Sequence, residues 1–383
     1  MVKNSTISAV VLAAGLSMRM ERFKPLLPIG TSRIIQRVIR FFQEAGVGEI
    51  LVVTGHRASE VRRVIKPLEV RCVENPDYRQ GMFTSVLTGI RALPNRCRAF
   101  FIHPADIPLV RSQTVRQLMK SFNDSSATIL YPTFSGLRGH PTLLDRGLKP
   151  GILKWSGVGG LRAFLQIHET ESLEIPVADE AILLDLDTPD DYSHVLDRML
   201  HAGLPTEQEC RVLMEEIQVL PASITTHCRA VAVIAQHLAR ALQSAGIPID
   251  VELVRTAALL HDIARTRKKD HANIGADLLE HHGFSRLAPI VRAHMDLEMD
   301  EDPAIDEIQT VYLADKLVIG DRRVNLEERF ACQIEKFGSA PSVLASILQR
   351  KENAKRIQEK VERITDQSID TITGPPGQFD GIR

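Results

Sequence analysis

Six histidine and aspartate residues in the second half of the chain lie on the apolar stripes of predicted helices. This spacing turns their side chains toward the interior of a helical domain. A helix over 224–242 places His227 on the same apolar stripe as Val231 and Leu238. The other five fall on the apolar stripes of later predicted helices. The six residues are His227, His261, Asp262, His271, His294 and Asp315. A single histidine on such a stripe is more often a core residue than a ligand, but this many converging groups favour a polar site.

The chemistry that this set can support is that of a divalent metal site. A buried carboxylate without a countercharge is costly, so Asp262 and Asp315 each require a positive partner. We expect the neighbouring cations Arg265 and Lys316 to project elsewhere, which leaves a metal ion as that partner. Imidazole and carboxylate ligands suit Mn, Fe, Ni, Zn or Mg. One or two such ions would lower the pKa of a bound water until it can act as a hydroxide nucleophile.

The first 30 residues offer a second kind of chemistry, the binding of a triphosphate. A predicted strand ends in AAG, and a tight loop with Arg19 and Lys24 follows it. Backbone N–H groups and two cations suit a triphosphate, although solvated loop charges are a common alternative. Asp106 and Asp187 each lie where a later predicted strand ends, and Asp106 could hold Mg²⁺ there. Their alternative roles are a turn and a helix cap, the latter shared with Thr188.

The elements that must position these groups fall into two regions with different sequence patterns. From residue 6 to about 198, short β-branched runs alternate with helical periods, which predicts a mostly parallel sheet. Beyond Asp197 every segment has helical spacing, which predicts an all-α second half. We therefore expect an α/β domain over 1–203, a helical domain over 204–370 and a disordered tail over 371–383.

The composition excludes several classes of partner. Of the 383 residues, 25% are charged and the formal net charge is −1, so the chain lacks the excess of basic residues that is typical of nucleic-acid-binding proteins. No apolar run approaches the ~18 residues of a membrane span. The five cysteines are scattered and form no CxxC motif, which suits a reducing compartment. We expect a cytoplasmic protein with no nucleic-acid or membrane partner.

Five ordered motifs between residues 6 and 198 resemble those of the molybdopterin nucleotidyltransferase family, and specifically its cytidylyltransferase branch. The motifs are VVLAAGLSMRMERFKPLLPIG, ENPDYRQGMFTSVLTGIRAL, PADIPLV, GHPTLL and LDLDTPDDY. The resemblance implies a Rossmann-like fold and transfer of a nucleoside monophosphate from CTP to the terminal phosphate of molybdenum cofactor, with release of pyrophosphate. The implied partners are CTP or another NTP, a molybdopterin-type cofactor, and a molybdoenzyme or its chaperone.

The resemblance also implies roles for individual residues. The residues that would hold the triphosphate are Ala13, Ala14, Gly15, Arg19 and Lys24. Ser85 would lie near the base and ribose, Asp106 would bind Mg²⁺, and Asp187 would be a second carboxylate. The catalytic residues would be Arg19, Lys24 and Asp106. The AAG triplet favours CTP over GTP, because the guanylyl branch usually has AGG, and the chain departs from the family at Glu21, where glycine is normal.

The second half resembles the HD phosphohydrolase superfamily over about residues 206–345. The resemblance is carried by His227, the His261–Asp262 pair and Asp315, in that order. The additional His271 and His294 are similar to those of the binuclear subgroup, in which Asp262 would bridge two ions and be catalytic. HD domains act on nucleotides, cyclic nucleotides and dinucleotides, so the resemblance leaves the substrate open.

Two alternatives to this bifunctional interpretation stay open at the level of sequence. The transferase could use another phosphorylated acceptor, such as a sugar or polyol phosphate. Alternatively, one domain could have lost catalysis and serve as a regulatory nucleotide-binding module.

Overall fold

The computed structural model describes residues 6–20, 22–267, 269–298 and 304–378. The chain divides into two compact units, Met1–Ala202 and Gly203–Arg383. The first unit contains the predicted triphosphate loop, and the second contains the predicted metal ligands.

One mixed sheet forms the centre of the first unit. The strands described there are β1 (Thr6–Ala13), β2 (Pro28–Ile29), β3 (Ser32–Arg33), β4 (Glu49–Thr54), β5 (Arg71–Glu74), β6 (Cys97–Pro104), β7 (Ile129–Phe134), β8 (Leu137–Arg138), β9 (Thr142–Asp145) and β10 (Ser172–Pro176). The order across the sheet is β10-β7-β9-β6-β1-β4-β5, with β8 paired to β7, while β2 and β3 form a separate ribbon. β1 runs parallel to β4 and β6, β4 to β5, and β7 to β10, whereas β9 is antiparallel to both neighbours. The mostly parallel α/β class predicted from the sequence is confirmed.

The helices of the first unit follow its strands in the alternation that the sequence predicts. They are α1 (Ile34–Glu44), α2 (Ala58–Ile65), α3 (Met82–Ala92), α4 (Ser112–Asp124), α5 (Lys149–Lys154), α6 (Gly160–Ile167) and α7 (Pro189–Leu200). Thr188 caps α7, because its Oγ1 accepts a hydrogen bond from the Asp191 N–H at 3.3 Å. Of the two predicted caps, Thr188 is therefore the one the helix uses, and the Asp187 side chain is left for other contacts.

A glycine in α3 lets this helix approach the centre of the sheet. A Cβ atom on Gly89 would lie 2.3 Å from Val10 Cγ1 on β1 and 3.0 Å from Val53 Cγ2 on β4. No larger residue fits there without displacing a strand side chain. The close packing fixes the N-terminal turn of α3, and with it Ser85, at the carboxyl edge of the sheet.

The second unit is helical, as the sequence predicts. Its helices are α8 (Glu207–Arg211), α9 (Ala222–Ser244), α10 (Val251–Leu260), α11 (His271–His281), α12 (Ala288–Ala293), α13 (Glu307–Lys316), α14 (Leu326–Phe337), α15 (Pro341–Thr365) and α16 (Ile369–Thr373), with a π-helix, Val212–Ile217, directly after α8. α9 is the central helix and packs against α10, α13, α15 and α16. Among the described residues, no helix has the combination of length and hydropathy that crossing a bilayer requires.

The second unit also contains a small ribbon that the sequence does not predict. It consists of β11 (Val318–Ile319), β12 (Arg322–Arg323) and β13 (Gly377–Gln378), which pair antiparallel in that order. Strands of two residues are too short to show an alternating pattern, which is why the sequence indicates only helices here.

The predicted disordered tail over 371–383 is wrong for the described part of that segment. α16 extends to Thr373 and β13 pairs with β12. The buried Arg323 guanidinium donates hydrogen bonds to Asp370 Oδ1 at 2.6 Å and to Thr373 Oγ1 at 3.2 Å. The contacts with Arg323, which is distant in the chain, hold the segment around α16 in place. The Gly-Pro composition of that segment gives no indication of these contacts. Residues 379–383 lie outside the described part of the chain.

Candidate active sites

A cleft of about 410 Å³ lies at the carboxyl ends of β1 and β6 in the first unit. The Ala105 N–H donates to Leu12 O at 3.0 Å, and the Leu186 N–H donates to Asp106 O at 3.0 Å. The first bond ties the loop after β6 to the end of β1, and the second ties the same loop to the segment before α7. The predicted site residues that line the cleft are Ala13, Ala14, Gly15, Arg19, Lys24, Ser85, Asp106 and Asp187.

Lys24 is the centre of the charged groups in this cleft. Its side chain is only 11% exposed, and its Nζ lies 2.7 Å from Asp187 Oδ1 and 3.2 Å from Asp106 Oδ2. Arg19, which is 75% exposed, places Nη1 2.6 Å from Asp187 Oδ2. The hydrogen bond from Lys24 holds the pKa of Asp187 below its usual range. Both predicted phosphate-binding cations therefore contact the carboxylates that the resemblance assigns to Mg²⁺.

The loop after β1 folds back on itself to bury Lys24. Ser17 has a φ of 56°, and its Oγ accepts a hydrogen bond from the Lys24 N–H at 3.1 Å. Pro25 follows in a short 3-10 turn, Lys24–Leu26. Ala13 and Ala14 are buried at the start of this loop, whereas Gly15 is open to the cleft. Glu21, the departure from the family pattern, lies outside the described residues.

Asn75 does not line the cleft but contacts a residue that does, and the sequence did not indicate this role. It follows β5 and is 1% exposed. Its Nδ2 donates hydrogen bonds to Ser85 Oγ and Thr84 Oγ1, both at 2.9 Å. Asn75 therefore fixes the rotamer of Ser85, which lines the cleft. The ENPDYRQGMF segment contains this residue, but no sequence pattern shows that its side chain is turned toward α3.

The six predicted metal ligands come together in the second unit. His227 lies on α9, His261 and Asp262 follow α10, His271 begins α11, His294 follows α12, and Asp315 lies on α13. The distances between their polar atoms are 3.2 Å from His227 Nε2 to Asp315 Oδ1, 3.1 Å from His271 Nε2 to Asp262 Oδ1, 3.4 Å from His294 Nε2 to Asp262 Oδ1, and 3.7 Å from His261 Nε2 to both Asp262 Oδ2 and Asp315 Oδ1. Two triads can each converge on one ion, His227 with His261 and Asp262, and Asp262 with His271 and His294. Asp262 belongs to both.

Backbone carbonyls set the tautomer of three of these histidines. The Nδ1 atoms of His227, His261 and His294 lie 3.0, 2.7 and 2.6 Å from the carbonyl oxygens of Gly320, Ala258 and Val291. A neutral imidazole that donates through Nδ1 carries a lone pair on Nε2. These lone pairs face carboxylate oxygens, and that arrangement repels unless a cation stands between them. Among the described residues, the buried His261 Nε2 and Asp262 Oδ1 have no hydrogen-bond partner, so the site fits a metal ion.

The pKa shifts differ between the histidines of this set: burial opposes ionisation of His227, yet the hydrogen bond and charge of Asp315 raise its pKa. Burial lowers the pKa of His261 to about 4. Burial opposes ionisation of Asp262, yet the neighbouring His261, with contacts from His271 and His294, holds its pKa well below the usual range. The pKa of Asp315 is also held well below its usual range, because Lys316 and His227 outweigh the effect of burial.

The expectation that Lys316 and Arg265 project away from the site is wrong. Lys316 is the last residue of α13, and its buried side chain turns back to place Nζ 2.6 Å from Asp315 Oδ2 and 2.9 Å from His294 O. Arg265 places Nε 3.8 Å from Asp262 Oδ2 and donates from Nη1 to His271 Nε2 at 2.9 Å. Asp315 thus has a cationic partner within the protein. Asp262 and the histidine lone pairs are therefore the main groups that would require a metal ion.

Comparison with known proteins shows which families and relatives this chain is similar to. Residues 9–175 match the family model of the MobA-like NTP transferase domain, and residues 224–319 match that of the HD domain. The molybdenum cofactor cytidylyltransferase of Escherichia coli (strain K12) is 31% identical over 195 residues, covering 51% of this chain and 97% of that protein. This chain belongs to the MobA-like NTP transferase family. It is a nucleotidyltransferase that also carries an HD domain of the phosphohydrolase type.

Two further relatives of the MobA-like domain differ in how much of their length is matched. The bifunctional IPC transferase and DIPP synthase of Rubrobacter xylanophilus is 38% identical over 129 residues, which cover 32% of this chain and 29% of that protein. A solved nucleotidyl transferase from Methanothermobacter thermautotroptrophicus is 26% identical with a TM-score of 0.46, covering 51% of this chain and 98% of that chain.

Both domain types generally use divalent metals. In the MobA-like domain the carboxylates beside Lys24, Asp106 and Asp187, are the groups that suit Mg²⁺. In the HD domain the mixed imidazole and carboxylate set suits a transition ion as well. A cleft of about 270 Å³ opens on that set, and the residues around it that the sequence reasoning missed are Arg329, Gln333 and Arg350.

Proposed function

We propose that the MobA-like domain transfers a nucleoside monophosphate from an NTP, with CTP favoured, to the terminal phosphate of molybdenum cofactor. The observation that carries the proposal is Lys24, whose Nζ contacts both Asp106 and Asp187 inside a cleft of about 410 Å³ at the carboxyl edge of the sheet. The cytidylyltransferase relative, which this chain covers almost entirely, supports CTP and molybdenum cofactor as the first substrates to test.

The residues of the cleft have distinct roles in this reaction. An oxygen of the acceptor phosphate attacks the α-phosphorus of the NTP, and pyrophosphate leaves with the electrons of the broken P–O bond. Backbone N–H groups of the loop from Ala13 to Gly15 would hold the phosphates, and Ser85, fixed by Asn75, would lie near the base and ribose. Asp106 and Asp187 would hold Mg²⁺, which supplies positive charge to the triphosphate when it is bound.

Lys24 and Arg19 would stabilise the negative charge that develops during transfer. Their charges lie at the carboxylate pair, so they are positioned before the triphosphate binds. Preorganised cations of this kind stabilise a transition state without the cost of reorienting solvent.

The test of the transferase is pyrophosphate release by the full chain. The protein is incubated with Mg²⁺, molybdopterin and labelled CTP or GTP, and pyrophosphate is measured. We expect release that depends on the acceptor and is faster with CTP. No release with any NTP would remove this half of the proposal.

The relative from Rubrobacter xylanophilus favours a second acceptor class. Its name describes an IPC transferase, and its matched region is 38% identical to this chain. That relative shows a similar domain in another transferase, and the alternative acceptor to test is the sugar or polyol phosphate that the sequence leaves open. A screen with molybdopterin, sugar phosphates and polyol phosphates separates the two, because pyrophosphate release should follow only the true acceptor.

We propose that the HD domain hydrolyses a phosphoester of a nucleotide. The residues that would hold one or two divalent ions are His227, His261, Asp262, His271, His294 and Asp315. Held by these residues, a divalent ion would supply positive charge to the phosphate and would lower the pKa of a water. Lys316 would keep Asp315 and the His294 carbonyl in position. A mass-spectrometric survey of nucleotides consumed by the metal-loaded full chain tests this, and no consumption of any nucleotide would contradict it.

A further inference from the structure

The cleft above the HD-domain ligands is completed by residues from outside the matched HD region. The family model ends at residue 319. α14 and α15 follow it, and they contribute Arg329, Gln333 and Arg350 to the same cleft that His227, Asp262 and Asp315 line. The HD motif accounts for the ligands, whereas these later helices form a wall of the cleft that the motif does not specify.

Two polar atoms on this wall lack hydrogen-bond partners among the residues that the structure describes. Arg329 Nε and Gln333 Oε1 are buried, and neither has a hydrogen-bond partner in the described part of the chain. The residues are four apart on α14 and therefore lie on the same face of the helix. Buried polar atoms are unfavourable without a partner, so a ligand that supplies one acceptor and one donor would be stabilised here.

The other cations around the cleft already have strong contacts. Arg350 donates from Nε and Nη2 to the carboxylate of Asp296 at 2.8 and 3.0 Å. Lys316 and Arg265 contact the predicted ligands, as described above. Arg329 is different, because its Nη2 lies only at the distant limit of an ion pair, 3.8 Å from Asp315 Oδ1, and its side chain is 18% exposed. It is thus both reachable from the cleft and incompletely paired.

We propose that Arg329 and Gln333 form a subsite for a substrate that carries a hydroxyl or amino donor beside its phosphate. Arg329 binds a phosphate oxygen through its guanidinium, because guanidinium groups match phosphate geometry. Gln333 Oε1 accepts a hydrogen bond from the neighbouring hydroxyl or amino group. The substrate class is then a phosphorylated sugar or nucleoside. This inference rests on the proposed hydrolase function, since it assigns the substrate contacts of that site.

The first experiment measures phosphate binding rather than turnover. Wild type, Arg329→Gln and Lys336→Gln, each as the full chain loaded with Mn²⁺, are titrated with inorganic phosphate by calorimetry. Lys336 lies on the same helix, is exposed and does not line the cleft, so its substitution is a matched loss of one charge. We expect Arg329→Gln to weaken binding about tenfold and Lys336→Gln to leave it unchanged. Bound manganese should be the same in all three proteins.

The second experiment isolates Gln333. Gln333→Leu should bind ribose 5-phosphate about fivefold more weakly than wild type, because a hydrogen bond to the sugar is lost. Its affinity for inorganic phosphate should fall less than its affinity for ribose 5-phosphate, since inorganic phosphate lacks the sugar hydroxyl groups beside the phosphate.

Several outcomes would overturn the inference. Unchanged phosphate affinity in Arg329→Gln would do so, because the guanidinium would then have no role in binding. A fall in bound manganese together with phosphate would also do so, since Arg329 would then act only by supporting Asp315. If wild type hydrolyses no nucleotide but Arg329→Gln still loses phosphate affinity, the hydrolase proposal fails and the subsite stands.

Discussion

Lys24 joins two carboxylates of the transferase cleft, and its charge should matter for turnover rather than for folding. Lys24→Met keeps most of the aliphatic contacts but removes the ammonium that contacts Asp106 and Asp187. We expect transfer to fall by about 100- to 1000-fold, because developing negative charge loses a preorganised cation. The exposed Lys66→Met serves as a control in the same unit. Pyrophosphate release at the wild-type rate by Lys24→Met would contradict the assigned role.

A buried histidine in the same unit should make stability depend on pH. His103 is fully buried on β6, and burial, with His140 nearby, lowers its pKa to about 3. Because the unfolded state takes up a proton near pH 6.5 and the folded state does not, stability falls as the pH drops through that value. At pH 5 the loss relative to pH 7.5 should be about 2 kcal/mol from this group.

His103→Leu should remove that component of the pH dependence. The measurement is urea unfolding at pH 7.5 and pH 5, followed by the fluorescence of Trp155, the single tryptophan of the chain, which reports on the first unit. The exposed His194→Leu is the control. An equal fall in stability for wild type and His103→Leu would show that His103 is not the group responsible.

At the scale of elements, the packing of α3 against β1 and β4 positions the Ser85 side of the cleft. Gly89→Ala would introduce a Cβ atom 2.3 Å from Val10 Cγ1, so we expect a loss of about 1–3 kcal/mol in the free energy of unfolding. Gly15→Ala is the matched control, because a Cβ atom there meets nothing within 4 Å. Trp155 fluorescence in urea measures both. Equal stability of the two variants would mean that α3 does not depend on this close approach.

The elements that sequence could predict are those with a long periodic pattern. The alternation up to residue 198 and the helical stripe on α9 extend over many residues, and both classes are confirmed. The ribbon of β11, β12 and β13 could not be predicted, since each strand has only two residues. The order of the tail depends on Arg323, a residue 47 positions from Asp370 in the chain, so no local pattern reveals it.

Side-chain direction is where prediction from sequence was weakest at the candidate sites. Helical periodicity predicted that the six candidate ligands face one interior, because a stripe fixes the face on which each Cβ lies. It could not show that Lys316 turns back toward Asp315, since a long side chain at a helix end can reach either way. The contact between Asn75 and Ser85 could not be predicted for a similar reason, because it forms only once α3 packs against the sheet.

At the scale of the whole molecule, the two sets of residues that we propose to act on phosphates lie in two compact units. Asp106 belongs to the unit Met1–Ala202 and Asp262 to the unit Gly203–Arg383. Asp106 contacts Lys24, and Asp262 contacts His271. If this assignment is correct, each set can be disabled without disabling the other.

The measurement that tests this most directly compares Asp106→Ala and Asp262→Ala in the full chain. Pyrophosphate release with CTP, bound manganese after metal-replete expression, and nucleotide hydrolysis are measured on both variants and on wild type. We predict that Asp106→Ala stops transfer but keeps metal in the HD domain and hydrolysis, while Asp262→Ala loses that metal and hydrolysis but keeps CTP binding and transfer. Loss of both activities in either folded variant would contradict the division of chemistry described here.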